Sequence, residues 1–178
     1  MKEENKDSFT ALLFLMSSTV WSVGVEVPTN IAAKYVGLGE KRVVCTLNDN
    51  ATYQCALMPQ GDGRYFLNVN AELQKKLSRK IDELVHVSIE PDNSKYGLPM
   101  PEELPAIFDI DDQADSVFHA LTAGKQRTLL HLIGKPKSSE IRIKKAISVV
   151  DYLKEVNGKL DFKELNAGIK NSFSCVQA

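Results

Sequence analysis

The first half of this chain carries the same pattern twice. Displaced by about 42 residues, Val25, Val27, Ile31, Tyr35, Val43, Cys45 and Leu47 fall on Leu67, Val69, Leu73, Leu77, Val85, Val87 and Ile89. A repeat of this kind is one supersecondary unit that cannot bury its own apolar face and is completed by a second copy. Each copy reads as a strand, a short helix and a strand. In the first, alternating Val20 to Val27 stops at Pro28, a helix capped by Thr29 or Asn30 runs through Ile31 and Tyr35 to Gly37-Leu38-Gly39, and Val43 to Leu47 follows. In the second, Tyr65 to Val69 leads to Asn70, which caps a helix whose Leu73 and Leu77 stack at i, i+4, and Val85 to Ile89 closes the copy. Two such copies predict a small pseudo-symmetric barrel or sandwich.

The rest of this half is connective. Phe9 to Leu15 reads as a buried first strand. A signal peptide is the competing reading, but the residues before it hold three acids against two lysines, where a secretory leader is net positive. The run also falls short of the roughly 20 apolar residues of a membrane helix. The expectation is a cytoplasmic protein without membrane insertion. Asn48-Asp49-Asn50 is turn chemistry, with Tyr53 to Leu57 as the returning strand, and Pro59 to Gly63 is a second turn.

After Pro91 the period changes. Four prolines between 91 and 105 mark a linker. Helical spacing then runs from Ile107 to Ile133, with breaks at Gly124 and at Gly134-Lys135-Pro136. Ser138 or Ser139 opens the longest helix, along which Ile143, Ala146, Ile147, Val150 and Leu153 form one apolar stripe. Asn157-Gly158 ends it, and Asp161 to Lys170 makes a last helix. The expected organisation is α+β: a duplicated double-split β-barrel with short helices over residues 1–95, then an all-helical module over 100–172.

Gly63-Arg64 through Asp82-Glu83-Leu84-Val85-His86-Val87 resembles the AbrB/MazE-type half-barrel, with both halves in one chain rather than in two. Asp82 and Glu83 stand where that pattern has Gly and Asp. A wider resemblance rests on Phe9-Thr10-Ala11, Val25-Glu26-Val27-Pro28, Leu57-Met58-Pro59 and Gly61-Asp62-Gly63, which together resemble a bacterial barrel domain of unknown function. Phe118-His119-Ala120-Leu121 and Gly134 to Lys145 resemble the helical YdeI/OmpD-associated (OmdA, bacteriocin-protection) module. Ile141 replaces the threonine of that module's signature, and lysines replace its paired arginines. The resemblance implies a double-split barrel followed by helices, and no defined reaction.

Charge is the best local clue to function. The chain as a whole carries −1, so no basic field gathers nucleic acid. Residues 99–123 carry −6, from Glu102, Glu103, Asp109, Asp111, Asp112 and Asp115, and residues 124–145 carry +6. Either the basic segment is a surface for an anion or an acidic partner, or it is neutralised by the acidic segment before it. The candidate binding residues are Arg142, Lys144, Lys145, Lys135 and Lys137, with Arg64 in the repeat. Arg142 leads, because a guanidinium grips carboxylate or phosphate through two parallel bonds.

Other constellations are weaker. Asp109, Asp111 and Gln113 mimic a calcium loop, but Ala114 and Ala120 occupy its required Gly and Glu positions, which leaves helix capping for the acids. Cys45 and Cys55 flank Asn50 symmetrically and could face each other across a hairpin, although Cys45 aligns with Val87 and so reads as core. The three histidines lack metal-ligand spacing. No nucleophile elbow, P-loop or dinucleotide fingerprint occurs, so neither cofactor nor metal is expected. The leading function is a non-enzymatic binding or stress and bacteriocin-protection protein. A nucleic-acid reader on AbrB-like halves comes second, and an enzyme with a pocket between barrel and helices third. The ligand, the partner and the oligomeric state stay open.

Overall fold

The computed structural model describes residues 6–17 and 22–174, with side chains through residue 172. Val20, Trp21 and Cys175 lie outside them. The chain divides into two compact units, Met1–Gly97 and Leu98–Ala178.

The first unit is a curled antiparallel sheet of seven strands with two helices. Its strands are β1 (Asp7–Leu15), β2 (Val23–Val27), β3 (Arg42–Leu47), β4 (Ala51–Ala56), β5 (Met58–Gly61), β6 (Arg64–Asn68) and β7 (Leu84–Pro91). Helix α1 (Thr29–Gly37) joins β2 to β3, and α2 (Ala71–Leu77) joins β6 to β7. The strand order is β4-β3-β7-β1-β2-β6-β5, with edges at β4 and β5.

The repeat appears here as a local two-fold. Equivalent strands pair with each other, β2 with β6 and β3 with β7. The register makes the symmetry explicit. Val25 lies opposite Leu67, its own equivalent, and Thr46 lies opposite Ser88, its own equivalent. Around these points the neighbours exchange: Gly24 faces Asn68 while Glu26 faces Phe66, and Cys45 faces Ile89 while Leu47 faces Val87. Of the residues that define the repeat, all but Ile31 are buried in one core. The unrepeated β1 lies between β7 and β2 and so joins the copies.

Local chemistry departs from the sequence reading in a few places. Pro28 is the N-cap of α1, without a side-chain cap bond; Thr29 and Asn30 are inside the helix. The Tyr35 hydroxyl instead anchors α1 by donating to the Ile89 carbonyl at 3.0 Å. Asn70 does cap α2, accepting from the Leu73 amide at 2.9 Å. Most of the expected Pro59–Gly63 turn is strand β5, and the reversal is confined to Gly61, Asp62 and Gly63, all at positive φ.

Residues 92–97, read as linker, are fastened to the first unit. The Asp92 carboxylate is nearly inaccessible and accepts from the Ser94 hydroxyl and amide and from the Gln54 amide. Burial pushes this carboxyl up, but Ser94, Gln54 and the Arg42 guanidinium outweigh it and hold it below the ordinary 3.8. Arg42 also donates to the Gly97 carbonyl at 2.6 Å. Gly97 has φ +72, and a methyl there would meet Arg42 Nε at 2.7 Å.

The second unit is helical: α3 (Glu103–Phe108), α4 (Asp112–His119), α5 (Ala123–Gly134), α6 (Ser139–Glu155) and α7 (Phe162–Ser174). Gly124 is inside α5 rather than a break, and α7 runs past the expected Lys170. The core is built from Leu104, Val117, Phe118, Leu129, Leu130, Ile133, Val149, Val150, Leu153, Leu165 and their neighbours. The stripe expected on α6 is turned. Ala146, Val149, Val150 and Leu153 are buried, while Ile143 and Ile147 remain 43% and 47% exposed. No helix among the described residues is long and apolar enough to cross a membrane.

Two glycine substitutions separate these effects. Gly97→Ala is expected to lower stability by about 1–3 kcal/mol, since the methyl meets Arg42 in a left-handed backbone. Gly168→Ala, in open space within α7, is expected to raise it by about 0.5–1 kcal/mol. Urea unfolding of the two variants beside the parent checks both signs.

Candidate ligand site in the helical unit

The acidic and basic segments meet in the second unit. Asp111 caps α4 by accepting from the Ala114 amide at 2.9 Å, and its other oxygen takes the Lys154 ammonium at 2.6 Å. That ammonium, then the Ala114 amide, hold the Asp111 carboxyl below its ordinary 3.8. Glu103, at the start of α3, receives Arg142 from the first turn of α6. Nε and Nη2 lie 2.8 and 2.7 Å from the same Oε1, which also accepts from the Ser139 hydroxyl at 3.0 Å. Ser139 therefore serves Glu103, and Ser138 stands at the N-cap of α6 without a side-chain cap bond. The Glu103 side chain is only 7% exposed and that of Arg142 19%.

Most of the Arg142 fork is consumed. Beyond Glu103, Nη1 donates to the carbonyls of Pro136 and Lys137 at 3.4 and 3.1 Å, closing the α5–α6 turn. The guanidinium thus ties α3, the turn and α6 together. Lys144 pairs with Glu140 at 2.8 Å, and Lys145 donates to the Leu132 carbonyl at 3.2 Å. Arg64 belongs to the first unit and lies 4.0 Å from Glu26.

Charge remains beside Arg142, where a cleft of about 370 Å³ opens. Leu98, Pro99, Met100, Pro101 and Leu130 give it apolar walls, and His131, Lys135, Arg142 and Glu102 give it polar ones. Gly134 completes the lining; a methyl there would approach the Pro101 ring to 3.3 Å. Of the six residues nominated from sequence, the cleft brings together Arg142 and Lys135. Lys137 contributes its carbonyl to the turn, and Lys144 and Lys145 are not in the lining. His131, Met100 and the two prolines were missed. Leu130, His131, Gly134 and Lys135 share one face of α5 at helical spacing, a signal the charge count ignored.

Residues 98–155 match the family model described as Bacteriocin-protection, YdeI or OmpD-Associated, and residues 9–89 match Domain of unknown function (DUF1905). Residues 98–155 are thus a YdeI/OmpD-associated (OmdA) module, behind a DUF1905 domain. No curated protein matches it. The OmdA match contains the entire cleft, including Leu98 at its first position and Arg142.

Two other clusters do not build a site. Cys45 faces Tyr53, and Cys55 faces Val43, so the cysteines are offset by two pairs rather than opposed, and both are free thiols. The Cys45 thiol, then burial, push Cys55 up; burial, then the two cysteines, push Tyr53 up. Cys55 and Tyr53 therefore hold their protons near neutral pH. Among the described residues, no group of three His, Cys, Asp or Glu could hold a metal ion.

The Glu103 environment in the OmdA unit has a pH signature. Burial raises its carboxyl, but its own backbone amide, Ser139 and Arg142 outweigh burial and hold it below the ordinary 4.5. A carboxyl lowered on folding contributes stability above its ordinary value, and that stability is lost as pH falls through the folded value. Acid should thus weaken the unit below about pH 4.5. Glu103→Gln is expected to be less stable than the parent near neutrality and to lose less on acidification, as read from thermal midpoints between about pH 7 and pH 3.

Proposed function

We propose that this chain is a non-enzymatic binding protein of the stress or bacteriocin-protection type, and that its cleft beside Arg142 takes a small anion with an apolar body. One observation carries this reading: apolar walls from Leu98–Pro101 and Leu130 converge with three basic side chains, and Glu102 is the single acid in the lining. Recesses of a few hundred Å³ with apolar walls and a few placed polar groups are the usual form of small-molecule sites. Lys135 and His131 are exposed, so they can meet an anion without breaking an ion pair described above. Arg142, held by Glu103, supplies direction more than net charge. The offset thiols and the absence of a catalytic fingerprint in the sequence favour binding over catalysis. The near-neutral chain weighs against nucleic acid as the ligand.

Calorimetric titration of the full chain with octanoate, benzoate, phenyl phosphate and inorganic phosphate tests the reading. The apolar anions are expected to bind more tightly than inorganic phosphate. Lys135→Glu is expected to weaken them by about tenfold, the scale of one lost charge-assisted contact. Indifference to every compound, or binding that Lys135→Glu leaves unaltered, would sink it. Salt-dependent retention of duplex DNA with no anion binding would favour the nucleic-acid reading instead.

A further inference from the structure

A second recess in the helical unit differs from the cleft in both shape and chemistry. It runs between α3 and α6 and is lined by Ala106, Ile107 and Ile110 on one side and Ile143 and Ile147 on the other. Glu102, Glu103 and Ser139 stand at one end, and the volume is about 430 Å³. Ile110 is 85% exposed, and Ile143 and Ile147 are about half exposed. These are the α6 positions that the amphipathic pattern assigns to a core and that the folded unit leaves uncovered. Ile107 on α3 and Ile110 in the turn after it line one side, and Ile143 and Ile147, at i, i+4 on α6, line the other. A groove between two such sides accepts the side-chain ridge of a third helix.

The charge around the groove selects its occupant. The only ionisable groups in the lining are two carboxylates, Glu102 and Glu103. Glu103 is already committed to Arg142, whereas the Glu102 side chain is 91% exposed and lies 4.0 Å from that guanidinium. Asp109, next to Ile110, adds a further exposed acid. The neighbouring base on α6, Lys144, is held by Glu140. The groove is therefore apolar along its length with an exposed carboxylate, Glu102, in its lining and Asp109 adjacent to Ile110, which complements a helix with an apolar stripe and flanking cations.

We propose that the α3–α6 groove docks an amphipathic helix of a partner protein, with apolar side chains at i, i+3 and i+4 laid between the isoleucines of the two sides and a lysine or arginine set against Glu102. Docking buries Ile110, Ile143 and Ile147, which repays the exposure the isolated chain tolerates. The groove shares Glu102 with the anion cleft but has its own apolar walls, and neither site needs the other to be occupied.

The probe is a fluorescein-labelled synthetic helix with a leucine stripe and flanking lysines, compared with the same helix carrying flanking glutamates. Fluorescence anisotropy with the full chain is expected to show the lysine form binding at least about tenfold more tightly. Ile147→Ser is expected to weaken it by about tenfold, the scale of a truncated apolar anchor. Glu102→Lys should remove the preference for the lysine form. Both changes are at exposed positions, and unaltered thermal midpoints would show that the fold survives. Equal affinity for the two helices, or binding that Ile147→Ser and Glu102→Lys both leave intact, overturns the proposal. So does a concentration-dependent dimer in sedimentation that Ile147→Ser dissolves and the lysine helix does not compete with, since a second copy would then be the occupant.

Discussion

The helical unit is organised around one buried ion pair, Glu103 with Arg142. A carboxylate at 7% exposure is tolerable only if its charge is answered nearby, and two guanidinium nitrogens within 2.8 Å answer it. The cost of desolvating both groups is offset by the additional bonds from Ser139 and to the carbonyls of Pro136 and Lys137. That network fixes where α3 begins, how the α5–α6 turn closes and where α6 starts. The two recesses of the unit follow from it. Arg142 forms part of the wall of the cleft, and Glu103 with Ser139 ends the groove.

The opposite charges of residues 99–123 and 124–145 meet at one place, Glu103 with Arg142. Glu103 is met by Arg142 of that basic segment, and Asp111 by Lys154, which lies beyond it, one pair toward each end of α6. Within the cleft, what faces an external ligand is smaller and more specific than a basic patch: Lys135 and His131 beside an apolar wall. Recognition of an anion by so few groups favours ligands that also have apolar surface to bury.

Much of the first unit was legible in the sequence because its signal was redundant. The two copies of strand, helix and strand each report the same core face, and self-pairing of Val25 with Leu67 and Thr46 with Ser88 turns that agreement into a two-fold. The second unit was less legible. A stripe at helical spacing says which residues of α6 share a face but not where the face points, so Ile143 and Ile147 were assigned to a core that excludes them. Prolines 99 and 101 read as a linker because proline opposes helix and strand alike; their rings line the cleft. Arg142 was singled out for the geometry of its fork, yet no local pattern could show that Glu103, 39 residues earlier, already occupies that fork.

A double-mutant cycle on Glu103 and Arg142 tests this account most directly. Glu103→Gln, Arg142→Met and the double variant would be compared with the parent by urea unfolding at neutral pH. The pair is expected to show a coupling free energy of about 1.5–3 kcal/mol, with the double variant less damaged than the sum of the single changes. A coupling below about 0.5 kcal/mol would mean that the two residues act independently, and that the cleft and the groove are held by something other than this ion pair.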